Sequence, residues 1–175
     1  KDTVERAIKK ASGQSDENYE EITYEGYGPN GVAIIIECLT DNKNRTVSEV
    51  RNVLSKNGGS LGTKGSVVHL FKRVGIMKID NIKEDELLDH IESLEILDIE
   101  QINDGCVITI ESSELFNAKK YFESKGLTTK DEEIIMDPQT QVEVSNEDKE
   151  KVSSLSSKIE ELDDVQNVYM NVNII

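Results

Sequence analysis

The segment Val32-Ala33-Ile34-Ile35-Ile36-Glu37-Cys38-Leu39 is apolar apart from a single acid, and nothing this chain folds into can leave it in water. It is too short for a buried helix. The turn Gly28-Pro29-Asn30-Gly31 precedes it and the polar loop Thr40 to Asn44 follows, so it reads as a strand covered on both faces. Such a strand needs neighbours in a sheet and a layer of helices over them. A chain of 175 residues supplies enough core for one large domain or two small ones.

The rest of the pattern fits that demand. Ile22, Tyr24 and Tyr27 mark an additional strand over 20–28 ahead of the turn. Thr46-Val47-Ser48-Glu49 has the form of a capping box opening a helix, with Val47, Val50, Val53 and Leu54 as its core stripe and Asn57-Gly58-Gly59 as its end. Alternation predicts strands over 65–71 and 74–79, and helical spacing of Leu87, Leu88, Ile91 and Leu94 predicts a helix over 83–94. Another strand follows at 96–102. The same order then repeats: strand 106–110, helix 114–124, strands 132–136 and 141–144, helix 147–162 and strand 165–172. The fold class is α+β, two ferredoxin-like β-α-β-β-α-β sandwiches, in tandem or one inserted in the other. Residues 1–19 read as a helical stub and linker, 20–104 as the first α+β domain and 105–175 as the second. The opening Lys1, with Val4, Ala7 and Ile8 on one helical face, reads as the end of a helix whose upstream part is missing.

Charge is unevenly spread. The chain has 35 acidic and 20 basic side chains, a net −15, which excludes a uniformly basic nucleic-acid or membrane-surface binder. By segment, however, residues 1–37 carry −4, residues 38–78 carry +6 and residues 79–175 carry −17. The island at 38–78 holds Lys43, Arg45, Arg51, Lys56, Lys64, Lys72, Arg73 and Lys78. Screening over about 8 Å lets such an island collect phosphates within an acidic molecule, and scattered solvated cations are the alternative. The glycine-rich stretch Gly58 to Ser66 lacks the ending of a nucleotide phosphate loop and follows a helix; it reads either as an anion-contacting loop or as a connector.

Signs of catalysis are absent. His69 and His90 have no nucleophile in a recognisable elbow, and the acids cluster on helix faces, as in Glu84-Asp85-Glu86 and Glu160 to Asp164. Cys38 and Cys106 lie far apart, without a metal-binding or disulfide spacing, and suit a reduced, cytoplasmic setting. No apolar run approaches the roughly 18 residues of a membrane span. Neither a metal nor a cofactor is expected. Glu37, alone in the apolar strand, requires a partner, and a structural ion pair with Arg45 is expected.

The segments YEGYGPNGVAIIIECLTDNKNRT (24–46), EVRNVLSKNGGSLGTKGSV (49–67) and LDDVQNVYMNV (162–172), with the opening KDTVERAIKKASG, resemble the YebC family. The resemblance covers nearly the whole chain. It implies two α+β domains, preceded in the family by a basic helical domain, and the chain is accordingly expected to be a fragment without that domain. It also implies no enzymatic reaction. The family's members are described as transcriptional regulators or, in mitochondria, translational activators. A non-enzymatic regulator of gene expression is therefore expected, with ribosome or RNA as partner, DNA as the alternative target and a small-molecule-sensing module as a further one. The expected contacts are Asn42, Lys43, Asn44, Arg45, Arg51, Lys56, Lys64, Lys72 and Arg73. RNA is favoured over promoter DNA because no helix reads as combining exposed Arg, Asn and Gln in the manner of a major-groove reader. Asn30 stands where the family usually has glycine, and asparagine tolerates the same turn.

Overall fold

Strand β2 (Ala33–Thr40) is the apolar run, and it lies inside a four-stranded sheet of order β3-β1-β2-β8. The computed structural model describes residues 18–91 and 94–173. The helical stub expected at the start therefore lies almost wholly outside the described residues, as do 92–93 of the helix expected over 83–94. β1 (Glu20–Tyr27) pairs antiparallel with β2 from Glu20↔Thr40 to Tyr27↔Ala33. The reversal between them passes through Asn30 at φ 58, ψ 26, a left-handed conformation in which glycine and asparagine cost least. Helix α1 (Lys43–Lys56) follows, and β3 (Ser60–Leu61) returns along β1. The return is tight, since a Cβ on Gly59 would lie 2.4 Å from the Tyr27 carbonyl oxygen.

The chain then builds β4 (Phe71–Asp80), α2 (Glu84–Leu88), β5 (Ile96–Ile102), β6 (Gly105–Glu111), α3 (Leu115–Ser124) and β7 (Thr129–Pro138). These form the second sheet, of order β5-β6-β4-β7. Helix α4 (Asn146–Glu160) and strand β8 (Val165–Met170) close the first sheet, with β8 antiparallel to β2. The chain thus divides into two units: the described residues through Lys72 with those from Pro138 onward, and Arg73–Asp137 between them.

Of the two arrangements open from the sequence, insertion is the one observed. The expected division at 104/105 would cut the β5–β6 hairpin, whose register runs to Ile102↔Gly105. The inserted unit has the complete β-α-β-β-α-β order. The outer unit reaches the same spatial order by another path: β1, entering from the N-terminal side, occupies the slot that β6 fills in the inserted unit. The insertion leaves between β3 and α4, where a ferredoxin-like chain would otherwise supply that strand.

Each unit has its own core. Ile34, Ile36 and Cys38 of β2 pack with Val50 and Leu54 of α1, Val152, Leu155 and Ile159 of α4 and Val165 of β8. In the inserted unit Met77, Ile79, Ile108 and Ile110 pack with Leu87, Ala118 and Phe122.

Four expected elements differ. The helix over 46–57 starts earlier, because Asn42 is its cap, its side-chain oxygen accepting the Arg45 N–H at 3.0 Å. The strand over 65–71 is a turn and a short 3-10 segment (Val68–Leu70), because a carboxylate takes the N–H groups of Gly65, Val67 and Val68 that a ladder would need. The helix at 83–94 is the single turn of α2. Residues 141–144 form no strand, although the Val142 N–H donates to the Asn171 carbonyl at 2.7 Å.

Candidate nucleic-acid interface

α1 exposes a face whose composition sets it apart from α4. Thr46, Val50 and Leu54 turn inward, while Asn44, Ser48, Arg51, Asn52 and Ser55 are exposed at helical spacing. The one acid of α1, Glu49, is half-buried beside that face, whereas α4 carries Glu147, Asp148, Glu150 and Glu160. The outer face of α1 therefore combines a guanidinium with amides and hydroxyls and has no exposed carboxylate. This face brings exposed Arg and Asn together, and it carries no Gln beside them, the third side chain named in the expectation of no major-groove reader.

The N-terminus of α1 is fixed by a buried carboxylate. Asp164, 2% exposed, lies just before β8 and accepts from Arg45 Nη2 at 2.8 Å and from the Thr40 hydroxyl at 3.1 Å. The Thr46 hydroxyl stands 2.9 Å from the same oxygen and 3.0 Å from the Asn42 carbonyl, and its single proton serves one of them at a time. The Asn42 N–H donates to the Thr40 hydroxyl at 2.9 Å. Arg45 also reaches Asp41 at 2.7 Å. Hydrogen bonding to Asp164, then to Asp41, raises the Arg45 pKa further above its ordinary value.

Glu37 and Arg45 are not paired, which corrects the expected structural ion pair. Strand alternation sends Ile36, Cys38 and Thr40 toward the helices and Glu37 to the opposite face. There Glu37 accepts from Asn167 Nδ2 at 3.1 Å and from the Tyr169 hydroxyl at 3.5 Å. Arg45, on the helix side, finds Asp164 instead.

The glycine-rich loop has its own anion. Glu25, 6% exposed, accepts the Gly65 N–H at 2.6 Å and those of Val67 and Val68 at 2.8 Å each. Burial alone would raise its pKa, but these three donors outweigh it and hold the carboxyl below its ordinary value. The backbone donors of 65–68 are thus occupied from within, and what the loop presents to solvent as a cation is Lys64.

The nine expected contact residues separate accordingly. Asn42 is committed to capping, Lys43 to an ion pair with Glu20 at 2.5 Å, and Arg45 to Asp164 and Asp41. Lys72 is half-buried and engaged, and Arg73 is exposed in the inserted unit. Lys78, also in the basic island, bridges Asp104 at 2.8 Å and Asp80 at 3.4 Å. Asn44, Arg51, Lys56 and Lys64 remain exposed on the outer unit, and the three cations make no ion pair among the described residues.

Sequence reasoning missed Asp164 and Glu25 as site-forming residues. Asp164 ends an acidic run but sits directly before the buried Val165, and Glu25 lies in a strand between Tyr24 and Gly26. Neither signal reveals its partner. Ser48, Asn52 and Ser55 were legible as the face opposite Val50 and Leu54.

Comparison with known proteins places this geometry. Residues 19–172 match the family model described as TACO1/YebC second and third domain. A "Probable transcriptional regulatory protein" of Methylococcus capsulatus is 46% identical over 99% of this chain and 71% of its own length. One of Francisella tularensis is 43% identical over 99% and 71%. A conserved hypothetical protein of Aquifex aeolicus, solved by crystallography, superposes with a TM-score of 0.80 at 38% identity, covering 97% of this chain and 72% of that one. The motif holding Arg45 and the motif holding Asp164 are two of those on which the resemblance rested, and they meet in one hydrogen-bonded cluster. With the match extending across both units, the chain belongs to the TACO1/YebC family.

Proposed function

We propose that this chain is a non-enzymatic, cytoplasmic regulator of gene expression that contacts RNA, most of all RNA presented by the ribosome, through the outer face of α1 flanked by Lys56 and Lys64. The observation that carries this reading is the surface of Asn44, Ser48, Arg51, Asn52 and Ser55, polar, cationic and free of exposed carboxylates on a chain of net −15. Three unpaired cations neutralise about three phosphates, which gives a log-log salt slope of about −2.7. That is too few for tight binding to naked duplex and suits a composite surface, where other groups share the contact. No helix among the described residues is long and apolar enough to cross a membrane.

A second reading, direct binding to DNA, has its own support. Arg and Asn on one exposed helix face are side chains that read base edges in the major groove, and the relatives above are named for transcription.

Co-sedimentation with ribosomes, beside a mobility shift on duplex DNA at the same salt, separates the two. Pelleting of the chain, and its loss in Arg51→Glu/Lys56→Glu/Lys64→Glu, supports the ribosome reading. Unchanged pelleting of the triple variant removes α1 as the contact. Tighter, sequence-selective binding to duplex DNA transfers the function to transcription.

A further inference from the structure

The inserted unit is strongly acidic, with 17 acidic and 7 basic residues over 73–137. Three of its seven cations are tied down: Lys78 to Asp104 and Asp80, Lys130 to Asp80, and Lys119 to Glu132 at 2.9 Å. Two lysines of α3 and its C-cap behave differently. The Lys120 ammonium lies 4.3 Å from the centre of the Phe116 ring, and that of Lys125 lies 5.5 Å from the centre of the Tyr121 ring. Phe116 is 64% exposed, the most exposed large apolar side chain among the described residues.

An exposed phenyl ring beside an ammonium is a poor solution for solubility alone. It matches a nucleotide well: the ring offers a face for a base and the ammonium a counter-charge for the adjoining phosphate. α3 itself carries one acid, Glu123, exposed seven residues beyond Phe116 and so on the same side of the helix, and Glu114 stands at its N-terminal end. Asn117, exposed beside Phe116, donates its side-chain amide to the Glu114 carboxylate at 3.2 Å.

We infer that Phe116 and Lys120 form a stacking platform for single-stranded nucleic acid on the inserted unit. The inference rests on the nucleic-acid reading of α1 and adds a second, sequence-tolerant contact to it. A paired duplex, whose bases are already stacked on one another, would not use the ring.

The chain has no tryptophan, so Phe116→Trp installs a single reporter in the platform. The probe is a single-stranded oligoadenylate of about 12 nucleotides, read by anisotropy at low salt. Phe116→Ala is expected to weaken binding at least about 5-fold, and Lys120→Glu likewise, because one base stack and one phosphate contact are lost. Phe116→Trp should keep the affinity, and its fluorescence should be quenched by the oligonucleotide. Both positions lie on the surface, so the three substitutions spare the core. If Phe116→Ala binds as the parent does while Arg51→Glu weakens binding, the platform is wrong and the α1 interface survives. If the parent chain binds no RNA or DNA at low salt, both fall. Quenching of the tryptophan by poly-glutamate as strongly as by oligoadenylate, or an equal dependence on Phe116 for duplex, also overturns the platform.

Discussion

Arg45 donates to the buried carboxylate of Asp164 at 2.8 Å, across 119 residues of chain. The contact ties the N-terminus of α1 to the entry of β8, the first strand element after the insertion returns to the outer sheet. It holds in place the helix whose outer face is the candidate interface.

Asp164→Ala should therefore destabilise the outer unit by about 2–3 kcal/mol, since the Thr40 and Thr46 hydroxyls lose a charged acceptor in a buried site. Asp164→Asn, which keeps one acceptor oxygen, should cost less. Arg45→Ala combined with Asp164→Ala should cost less than the two single substitutions added together, because they remove one shared interaction. Urea unfolding of the four proteins measures this, and strict additivity would mean that the pair is not coupled.

Glu25 makes stability depend on acid. Its carboxyl is held below the ordinary value in the folded chain, so the stabilisation is complete above the unfolded value of about 4.3 and is lost as pH falls through the lower, folded value. Glu25→Gln satisfies the Val67 and Val68 donors through one oxygen but sets its amide against the Gly65 N–H. A loss of about 1–2 kcal/mol at neutral pH is expected, with a flatter acid limb. Thermal unfolding between pH 3 and pH 7, over a range of about four units, checks both effects. An unchanged acid limb in Glu25→Gln would assign it to other carboxylates.

Cys38 is 2% exposed, and burial, assisted by Asp164 and Glu37, pushes its thiol up to about 12. Cys106 is fully buried, and burial raises its thiol as well. Neither should react with a disulfide reagent in the folded chain at mildly alkaline pH, and both should react at once in denaturant. A fast-reacting thiol in the native protein would contradict the packing of one of the two cores.

Asn30 occupies a left-handed turn at φ 58. Asn30→Gly should be neutral within a few tenths of a kcal/mol, while Asn30→Val should cost about 1–2 kcal/mol through backbone strain. Comparing the two midpoints of denaturation tests the turn without touching either core.

The sequence made β2 legible because its apolar run is uninterrupted and its flanks are turns. It made α1 legible because Val50 and Leu54 share a face. The insertion was not legible: two units with the same strand order produce the same succession of periods whether they follow or enclose one another. The alternation of Val67, His69 and Phe71 suggested a strand, but the backbone donors there belong to Glu25, 40 to 43 residues earlier. Glu37 and Arg45 were matched by charge and proximity along the chain, whereas the two-residue period of β2 places them on opposite sides of the sheet. Asp164 looked like one more solvated acid in a run of them, and only the fold shows that it is buried.

The proposed interface has Arg51, Lys56 and Lys64 contacting phosphates from the outer unit. The salt dependence of RNA binding, measured by anisotropy between about 50 and 200 mM salt, reads these contacts out, because each lost phosphate contact lowers the log-log slope by about 0.7 on a single strand and about 0.9 on a duplex. The predicted result is a smaller slope and weaker binding for each charge-removing substitution, with all three together abolishing most of the dependence. An identical slope in the chain and in its Arg51→Ala/Lys56→Ala/Lys64→Ala variant would contradict it.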